Sequence, residues 1–277
     1  MDLTQATVLI TGSTDGVGRL VAKRLAAGGA RVILHGRSDR KGRELLDQIR
    51  RESPHSPAEL YLADFASLEP VRRFADQVGS AHDRLNILIN NAGIGFGPPG
   101  SRREISRDGH ELRFAVNYLA PFLLTHLLLP ALGRGAPSRI VNVASLAQAP
   151  IDFDDVMLTK RYDGRRAYAQ SKLALVMFTF DLAEALRGTG VVANAIHPAT
   201  LMNTGMVAEA RGYARRAPSK REPRRCSISR RRPRSRAFQE SSSTACARHA
   251  RTRRRTTPVS GDGFASSRST SPGFAPA

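Results

Sequence analysis

A tyrosine and a lysine four residues apart, Tyr168 and Lys172, are the side chains of this sequence best suited to acid-base chemistry. Apolar residues at helical spacing after Arg166 predict a helix, and residues four apart on a helix share one face. An apolar stretch that ends at Ser145 predicts a strand, which delivers a hydroxyl to the same region. Together, a phenol, an ammonium and a hydroxyl can move a proton to or from the oxygen of a carbonyl or an alcohol. A tyrosine and a lysine at this spacing are also common on ordinary helix surfaces, so other motifs have to support the chemistry.

Short apolar runs alternate with stretches of helical periodicity along the first two thirds of the chain. The alternation predicts strands near residues 7–11, 31–35, 59–62, 86–90, 139–145 and 191–196. A long helix is predicted from about Glu111 to Leu132. Strands that alternate with helices are parallel and are joined by right-handed crossovers. The predicted fold is therefore α/β, a doubly wound, Rossmann-like parallel sheet of strand order 3-2-1-4-5-6.

Three glycines, Gly12, Gly16 and Gly18, lie where the first strand turns into the first helix. In such a turn the backbone N–H groups and the helix N-terminus can approach a pyrophosphate. The spacing alone fits a plain tight turn equally well. Its position directly after the first strand favours a dinucleotide.

The end of the second strand carries Arg37 and no carboxylate of the kind that holds the ribose hydroxyls of NAD. An arginine there can pair with a 2′-phosphate, so the sequence favours NADP over NAD. NAD stays an alternative in which Arg37 is a solvated charge and Asp39 contacts the ribose. After the third strand, Asp64 either reaches the adenine or caps the helix that begins near Ser67.

Taken together, these motifs resemble the short-chain dehydrogenase/reductase family over about residues 5–205. The likeness rests on Thr11-Gly12-x-x-x-Gly16-x-Gly18, Asp64, Asn90-Asn91-Ala92-Gly93, Asn117, Ser145, Tyr168-x-x-x-Lys172 and His197-Pro198. The long stretch between Ser145 and Tyr168 is similar to that of the retinol-dehydrogenase-like branch. Two features depart from the family: Ala199 stands where glycine is common, and the last strand and helices are expected to be missing.

The resemblance implies an NAD(P)-dependent oxidoreductase that interconverts a carbonyl and an alcohol by hydride transfer. Tyr168 would exchange the proton, while Lys172 favours the phenolate and holds the nicotinamide ribose. Ser145 would hydrogen-bond the carbonyl oxygen, and Asn117 would support a proton relay, unless it is only a satisfied buried polar group. For His197 a structural role is the favoured interpretation. The implied cofactor-binding set, with Asn90 beside it, is Gly12, Ser13, Thr14, Gly16, Val17, Gly18, Arg37, Asp64, Phe65, Asn91, Ala92, Gly93, Tyr168, Lys172 and Pro198.

The formal net charge of +19 comes mainly from the C-terminal quarter, because residues 211–277 hold 18 of the 43 Lys and Arg residues and three of the 24 acids. This stretch is rich in Arg, Ser and Pro and poor in large apolar residues, so it is predicted to be disordered. The predicted domains are an oxidoreductase domain over 1–210, lacking its usual C-terminal part, and a tail over 211–277. Arginine, alanine, proline and serine dominate out-of-frame translation of GC-rich DNA, so a frameshift that impairs catalysis is one alternative. A nucleic-acid-binding arm is another, disfavoured because aromatic residues for base stacking are scarce.

Both cysteines, Cys226 and Cys246, lie in the tail, so residues 1–210 offer no disulfide and no thiolate metal site. No metal site is predicted. The sequence shows no secretory leader, and the apolar run from Tyr118 to Leu132 is interrupted and too short to span a bilayer. The expected location is cytoplasmic with no membrane partner; the expected partner is a small carbonyl or alcohol, and a homo-oligomer is left open.

Overall fold

The computed structural model describes residues 2–98 and 100–198, and the predictions for Ala199 and for residues 211–277 lie outside these ranges. Six parallel strands form one sheet of order β3-β2-β1-β4-β5-β6, which confirms the doubly wound α/β fold. The strands are β1 (Thr7–Ile10), β2 (Arg31–Gly36), β3 (Ala58–Leu62), β4 (Ile87–Asn90), β5 (Ser138–Val143) and β6 (Val191–Ile196). The helices are a 3₁₀ turn (Leu3–Gln5), α1 (Gly16–Ala27), α2 (Asp39–Glu52), α3 (Leu68–Ala81), α4 (Leu112–Phe114), a π-helical turn (Ala115–Leu119), α5 (Ala120–Arg134) and α6 (Gly164–Ala185).

Helices cover both faces of the sheet, which explains why consecutive residues in the middle of its central strands, such as Val8 to Ile10 and Ile87 to Ile89, are apolar. On one face, Leu9 and Leu88 pack with side chains of α3, α5 and α6, among them Phe74. On the other face, Val8 and Ile10 pack against α1 and α2. Burial on both sides fixes the sheet as the rigid scaffold of the site.

The helix predicted from Glu111 to Leu132 is one continuous helix, Leu112–Arg134, with a π-helical turn inside it. Within that turn the N–H of Ala120 bonds to the carbonyl of Ala115, five residues back. Turns of this kind occur mostly as single insertions in α-helices, often at functional sites. This helix has a mean hydropathy of 1.5 over its most apolar stretch and, among the described residues, is the one helix long and apolar enough to cross a membrane. Because 56% of its most apolar stretch is buried in the protein, a core helix explains the same composition.

All six strands run in the same direction, so their carboxyl ends meet at one edge of the sheet. The order reverses between β1 and β4, and doubly wound folds bind ligands in the crevice at such a switch point. The segments that leave this edge contain the predicted site residues Gly12, Arg37, Asp64, Asn91, Ser145 and Pro198.

Candidate active site

Three of the four predicted catalytic side chains, those of Ser145, Tyr168 and Lys172, meet at the carboxyl edge of β5. The hydroxyl of Ser145, two residues beyond the strand, lies beside the phenol of Tyr168 on α6 and lowers the pKa of that phenol. Lys172, one helical turn further along α6, is 3% exposed and donates from Nζ to the carbonyl oxygen of Val143 at 2.8 Å. Its Nζ lies 5.9 Å from the centre of the Tyr168 ring. The structure therefore places an alcohol, a phenol and an amine around one point.

Burial shifts the pKa of both titratable groups in this trio. It lowers the pKa of Lys172 from 10.5 to about 8, because an ammonium loses its hydration there. It also raises the pKa of Tyr168, and the hydrogen bond from Ser145 offsets only part of that rise. The sequence-based expectation was the opposite direction, with Lys172 favouring the phenolate. The shift runs in the other direction because loss of hydration is its largest cause, and a contribution of Lys172 to stabilising the phenolate stays a prediction.

Asn117 lies inside the π-helical turn and is 1% exposed. Its side chain accepts the N–H of Ile94 at 2.8 Å and donates to the carbonyl of Ile94 and to the hydroxyl of Ser171, both at 3.1 Å. These bonds join the segment after β4 to α6. The satisfied buried polar residue that was the alternative describes this geometry well, and the proton relay stays a prediction.

Gly93 has no side chain where the segment after β4 passes close to Asn117 and to the amine of Lys172. A Cβ atom at this position would lie 3.1 Å from Oδ1 of Asn117 and 3.6 Å from Nζ of Lys172. A side chain would therefore fill the volume beside the amine, which a flat ring could use instead. This space is where the residues fit a nicotinamide.

The glycine loop turns tightly over the carboxyl end of β1. Gly12 and Gly16 have φ angles of +62° and +51°, a region that favours glycine. A Cβ on Gly18 would lie 2.3 Å from the carbonyl oxygen of Gly12, so that position accepts no side chain. Val17 and the half-buried Thr14 complete the loop and the first turn of α1. The loop thus lets a ligand approach the backbone closely.

His35 supports this loop from below, and the sequence had not identified it. The N–H of Gly12 donates to Nδ1 of His35 at 3.1 Å, so the other nitrogen carries the proton and donates to the carbonyl of Ala63 at 3.1 Å. The ring stacks on Phe65, with the ring centres 4.2 Å apart. Burial lowers the pKa of His35 from 6.5 to about 4, so the ring is neutral at physiological pH. A histidine at the end of an apolar strand was the only sequence signal.

Some residues predicted to bind the cofactor turn their side chains into the protein instead. Ser13 is fully buried, and its N–H and hydroxyl both bond to the carbonyl of His35, at 2.9 and 3.2 Å. The Phe65 ring is 3% exposed and belongs to the core. For both residues, only the backbone remains available to a ligand. Successive side chains of a strand point to opposite faces of the sheet, so some residues near its end turn their side chains into the protein. The sequence motif alone does not show which residues do so.

The asparagines after β4 also brace the site rather than face it. Asn91 donates from Nδ2 to the carbonyls of Thr11 and Gly12, each at 2.9 Å. Asn90 is buried and donates to Thr125 and to Asn142, at 2.9 and 2.8 Å. The Asn90 side chain is therefore turned away from the crevice, and the expectation that Asn90 lines the cofactor stays a prediction for its backbone. Beyond it, the N–H of Ala92 donates to the hydroxyl of Thr11 at 3.0 Å.

Neither role predicted for Asp64 is seen in its side-chain bonds. Its carboxylate accepts the N–H of Ala66 at 3.1 Å, which forms a tight turn after β3. Helix α3 is instead capped by Asp108, which accepts the N–H of Leu68 at 2.8 Å. Capping by Asp64 is therefore wrong, and its contact with adenine stays a prediction. At the other end of the sheet, Pro198 lies half-buried two residues after β6.

Arg37 is exposed directly after β2 and lines a cavity of about 760 Å³ together with the segment that follows β4. Asp39, the residue that could contact the ribose of NAD, is held by Arg43 of the same helix at 2.7 Å. Its carboxylate is therefore already paired. The local electrostatics favour a ligand with a 2′-phosphate over one with free ribose hydroxyls.

A buried ionic cluster, which was not predicted, holds the segments around this cavity together. Arg113 is 3% exposed and pairs with Glu104 at 3.2 Å and with the buried Glu111 at 3.4 Å. It also donates to the carbonyl of Gly95 at 3.0 Å, and Tyr162 donates to Glu111 at 3.2 Å. The cluster links the segment after β4, the start of α4 and the stretch that leads to Tyr168.

Comparison with known proteins agrees with this geometry. The family model for the short chain dehydrogenase matches residues 6–213. Human retinol dehydrogenase 13 is 43% identical over 195 residues, which cover 69% of this chain and 58% of that protein. Human retinol dehydrogenase 12 is 41% identical over 193 residues, covering 69% and 60% of the two chains. The chain thus spans about three fifths of the length of these relatives.

Solved structures show the same fold. A metagenomic short-chain oxidoreductase in complex with NADP superposes with a TM-score of 0.60 at 29% identity, covering 72% of this chain and 84% of that one. A Shigella flexneri short chain dehydrogenase complexed with NADP gives a TM-score of 0.62 at 29% identity, covering 76% and 83%. By the matched model and these identities, the chain belongs to the short chain dehydrogenase family, in its retinol-dehydrogenase-like branch.

Proposed function

We propose that this chain transfers hydride between NADP(H) and a carbonyl or alcohol, with Tyr168 as the proton donor and acceptor. The observation that carries the proposal is the convergence of the Ser145 hydroxyl and the Tyr168 phenol beside the buried amine of Lys172. The lack of a side chain at Gly93 and the close backbone turn of the glycine loop support a dinucleotide at this edge. Two NADP complexes among the structural neighbours, together with the family, support NADP, and NAD is the second choice.

Each residue has a defined task in this mechanism. When bound, the nicotinamide supplies or accepts the hydride. Ser145 donates a hydrogen bond to the substrate oxygen, which orients the carbonyl toward Tyr168. Tyr168 gives its phenolic proton to that oxygen in reduction and takes it back in oxidation. Lys172 donates to the ribose hydroxyls, and Asn117 holds the segment after β4 in place.

The raised pKa of Tyr168 keeps the phenol protonated near neutral pH, as a proton donor for carbonyl reduction must be. A phenol that burial keeps protonated is ready to donate, whereas oxidation needs the phenolate as a base. Ser145 stabilises the phenolate left after the transfer, since its hydrogen bond lowers the pKa of Tyr168. Tyr168 can thus donate a proton to the carbonyl oxygen of the substrate as this oxygen gains electron density.

The proposed substrate is an apolar aldehyde or ketone. Between Ser145 and Tyr168, Leu146 is 73% exposed and Phe153 is 76% exposed, although both are large apolar side chains. Exposed apolar side chains beside a site commonly mark where an apolar ligand binds. The names of the retinol dehydrogenase relatives point to the same chemical class.

The test is NADPH consumption with a panel of apolar and polar aldehydes and ketones, using the full chain. Wild type is expected to turn over apolar aldehydes, and Ser145→Ala should lower kcat by about tenfold or more, as loss of a transition-state hydrogen bond does. Ser80→Ala, an exposed serine on α3, is the matched control. No turnover of any carbonyl by a chain that binds NADPH would favour the catalytically impaired alternative.

The domain division stays part of the proposal. We propose residues 1–210 as the oxidoreductase domain and 211–277 as a separate tail; the family match over 6–213 supports the boundary. Reading the gene tests an out-of-frame origin of the tail. The comparisons support the oxidoreductase and do not support nucleic-acid binding, which a salt-sensitive shift of DNA or RNA by the full chain would reinstate.

Location and assembly are proposed as cytoplasmic and homo-oligomeric. The apolar helix Leu112–Arg134 is largely buried in the protein, which supports its role as a core helix rather than a membrane span. Fractionation of cells that express the chain tests the location. Helices α5 and α6 expose Phe122 and Phe180, and the Phe122 ring packs on Phe178 across the two helices at 4.9 Å. A second copy would cover this aromatic surface, and light scattering of the purified chain measures its mass.

A further inference from the structure

The cavity that Arg37 lines has a second arginine on its wall. Its volume is about 760 Å³, and Arg102 contributes to it from the segment between β4 and α4. The same wall includes Ile94 and Gly95, which follow the space at Gly93 along the chain. The cavity therefore lies between the end of β2 and the segment after β4, beside the crevice where this fold binds the adenosine half of a dinucleotide.

The charges on this wall are not equivalent, because most of them are already paired. Arg113 is buried and bonded to two carboxylates, and Glu104 is one of those partners at 3.2 Å. At the glycine loop nearby, Lys41 is paired with Asp15 at 3.1 Å.

Within residues 2–98 and 100–198, by contrast, neither Arg37 nor Arg102 forms an ion pair or a side-chain hydrogen bond, and both are exposed. Two guanidinium groups that form no ion pair within these ranges therefore give this cavity positive charge. Because the Glu104 carboxylate on the same wall is neutralised by Arg113, it opposes an anion only weakly.

The backbone on both sides of Arg102 is anchored. Before it, the Ser101 N–H and hydroxyl both bond to the carbonyl of Pro98, at 3.2 and 2.5 Å. After it, Arg103 donates from Nε to the carbonyl of Met157 at 2.8 Å, and the carbonyl of Glu104 accepts the N–H of Leu112 at 3.0 Å. These bonds hold the position of Arg102 on the cavity wall and leave its side chain available.

We propose that Arg102 is the second arginine of a 2′-phosphate subsite, acting together with Arg37, and that it helps the protein to select NADP over NAD. The proposal rests on the proposed function, since it concerns the cofactor of that reaction. A planar guanidinium can give two parallel hydrogen bonds to a phosphate monoester, and two of them can hold its charge from different directions. A ribose with free hydroxyls carries no negative charge for the two guanidinium groups to bind.

The experiment measures Kd for NADPH and for NADH by cofactor fluorescence, without turnover. It compares wild type with Arg102→Ala, Arg37→Ala and the double variant; Arg50→Ala on α2 is the control for removal of one exposed positive charge. We expect Arg102→Ala to weaken NADPH binding by about tenfold, the effect of one charged hydrogen bond in a wet site. NADH binding should change by less than about twofold, because that ligand has no 2′-phosphate.

A competition assay identifies the group that is recognised. Adenosine 2′,5′-bisphosphate should displace NADPH from wild type much better than from Arg102→Ala, whereas adenosine 5′-monophosphate should not distinguish the two proteins. Arg102→Lys should recover only part of the affinity, since an ammonium lacks the planar fork.

The possible results separate this inference from the proposed function. If Arg37→Ala loses NADPH selectivity and Arg102→Ala does not, the second arginine is refuted and the proposed function stands. An equal loss of NADPH and NADH affinity in Arg102→Ala would also refute it, because the residue would then shape the loop rather than read the phosphate. Wild type that binds neither cofactor would overturn the proposed function itself.

Discussion

Acidification should destabilise the protein through His35, the ring that supports the glycine loop. In the folded state burial lowers its pKa to about 4, whereas an unfolded chain would protonate near 6.5. Between these values the unfolded state binds more protons, so stability is fully present above pH 6.5 and is lost as the pH falls toward about 4. The complete shift corresponds to roughly 3 kcal/mol, of which about 2 kcal/mol is lost by about pH 5.

The structure gives the reason for this loss. Nδ1 of His35 accepts the N–H of Gly12, so a proton there would place two donors against each other. Nearby charges partly cancel, because Arg37 lowers the pKa of His35 and Asp64 raises it. Protonation should therefore loosen the glycine loop before it unfolds the sheet.

Urea unfolding followed by circular dichroism, at several values between about pH 7.5 and 5, measures the effect. His35→Asn keeps an acceptor for Gly12 but does not titrate, so it should be less stable than wild type near neutrality and lose less stability on acidification. Subtracting the two curves removes the contribution of His197, whose pKa burial also lowers. Parallel pH dependence in wild type and variant would refute the reasoning.

Three further substitutions test the packing around the site. Arg113→Met should lower the free energy of unfolding by about 3–5 kcal/mol, because it leaves the buried carboxylate of Glu111 without its partner. Asn142→Ala should cost about 2–4 kcal/mol in the same urea assay, since its fully buried amide bonds to other polar side chains at 2.8 Å. Gly93→Ala should weaken NADPH binding by at least about tenfold, because the added methyl occupies the volume beside Lys172, and contact of this methyl with Asn117 should lower the free energy of unfolding by about 1–3 kcal/mol. Unchanged fluorescence titrations for Gly93→Ala would show that the nicotinamide does not use this space.

Much of the fold could be predicted from the sequence because alternation of strands and helices permits few topologies. The order of all six strands is confirmed. The observed helix ends differ from the predicted ones by a few residues, and the π-helical turn at Ala115–Leu119 was not predicted. The sequence of an apolar helix does not reveal a π-helical turn, because most residues of such a helix are apolar and buried with or without the turn.

The candidate site was predictable in its reacting groups but not in its supports. Tyr168, Lys172 and Ser145 come together because the helix period and the strand end determine where each one lies. The inward turn of Ser13 and Phe65, and the role of His35 beneath them, depend on contacts between different strands. The burial of Arg113 was equally hidden, because its carboxylate partners become visible only when three loops meet. Pairwise contacts of this kind leave no local pattern in a single sequence.

The most direct test of the central claim is Tyr168→Phe, which removes one oxygen and keeps the ring that packs edge-on against Phe96 at 5.8 Å. The mechanism predicts that kcat for carbonyl reduction falls by a factor of about 100 to 10,000, the contribution of a general acid. NADPH affinity should stay within about twofold of wild type, since the phenol acts on the substrate. Tyr61→Phe, a tyrosine on β3 that bonds to Glu59, should leave both quantities unchanged. A Tyr168→Phe protein that keeps more than about a tenth of wild-type kcat would contradict the assignment of Tyr168 as the proton donor.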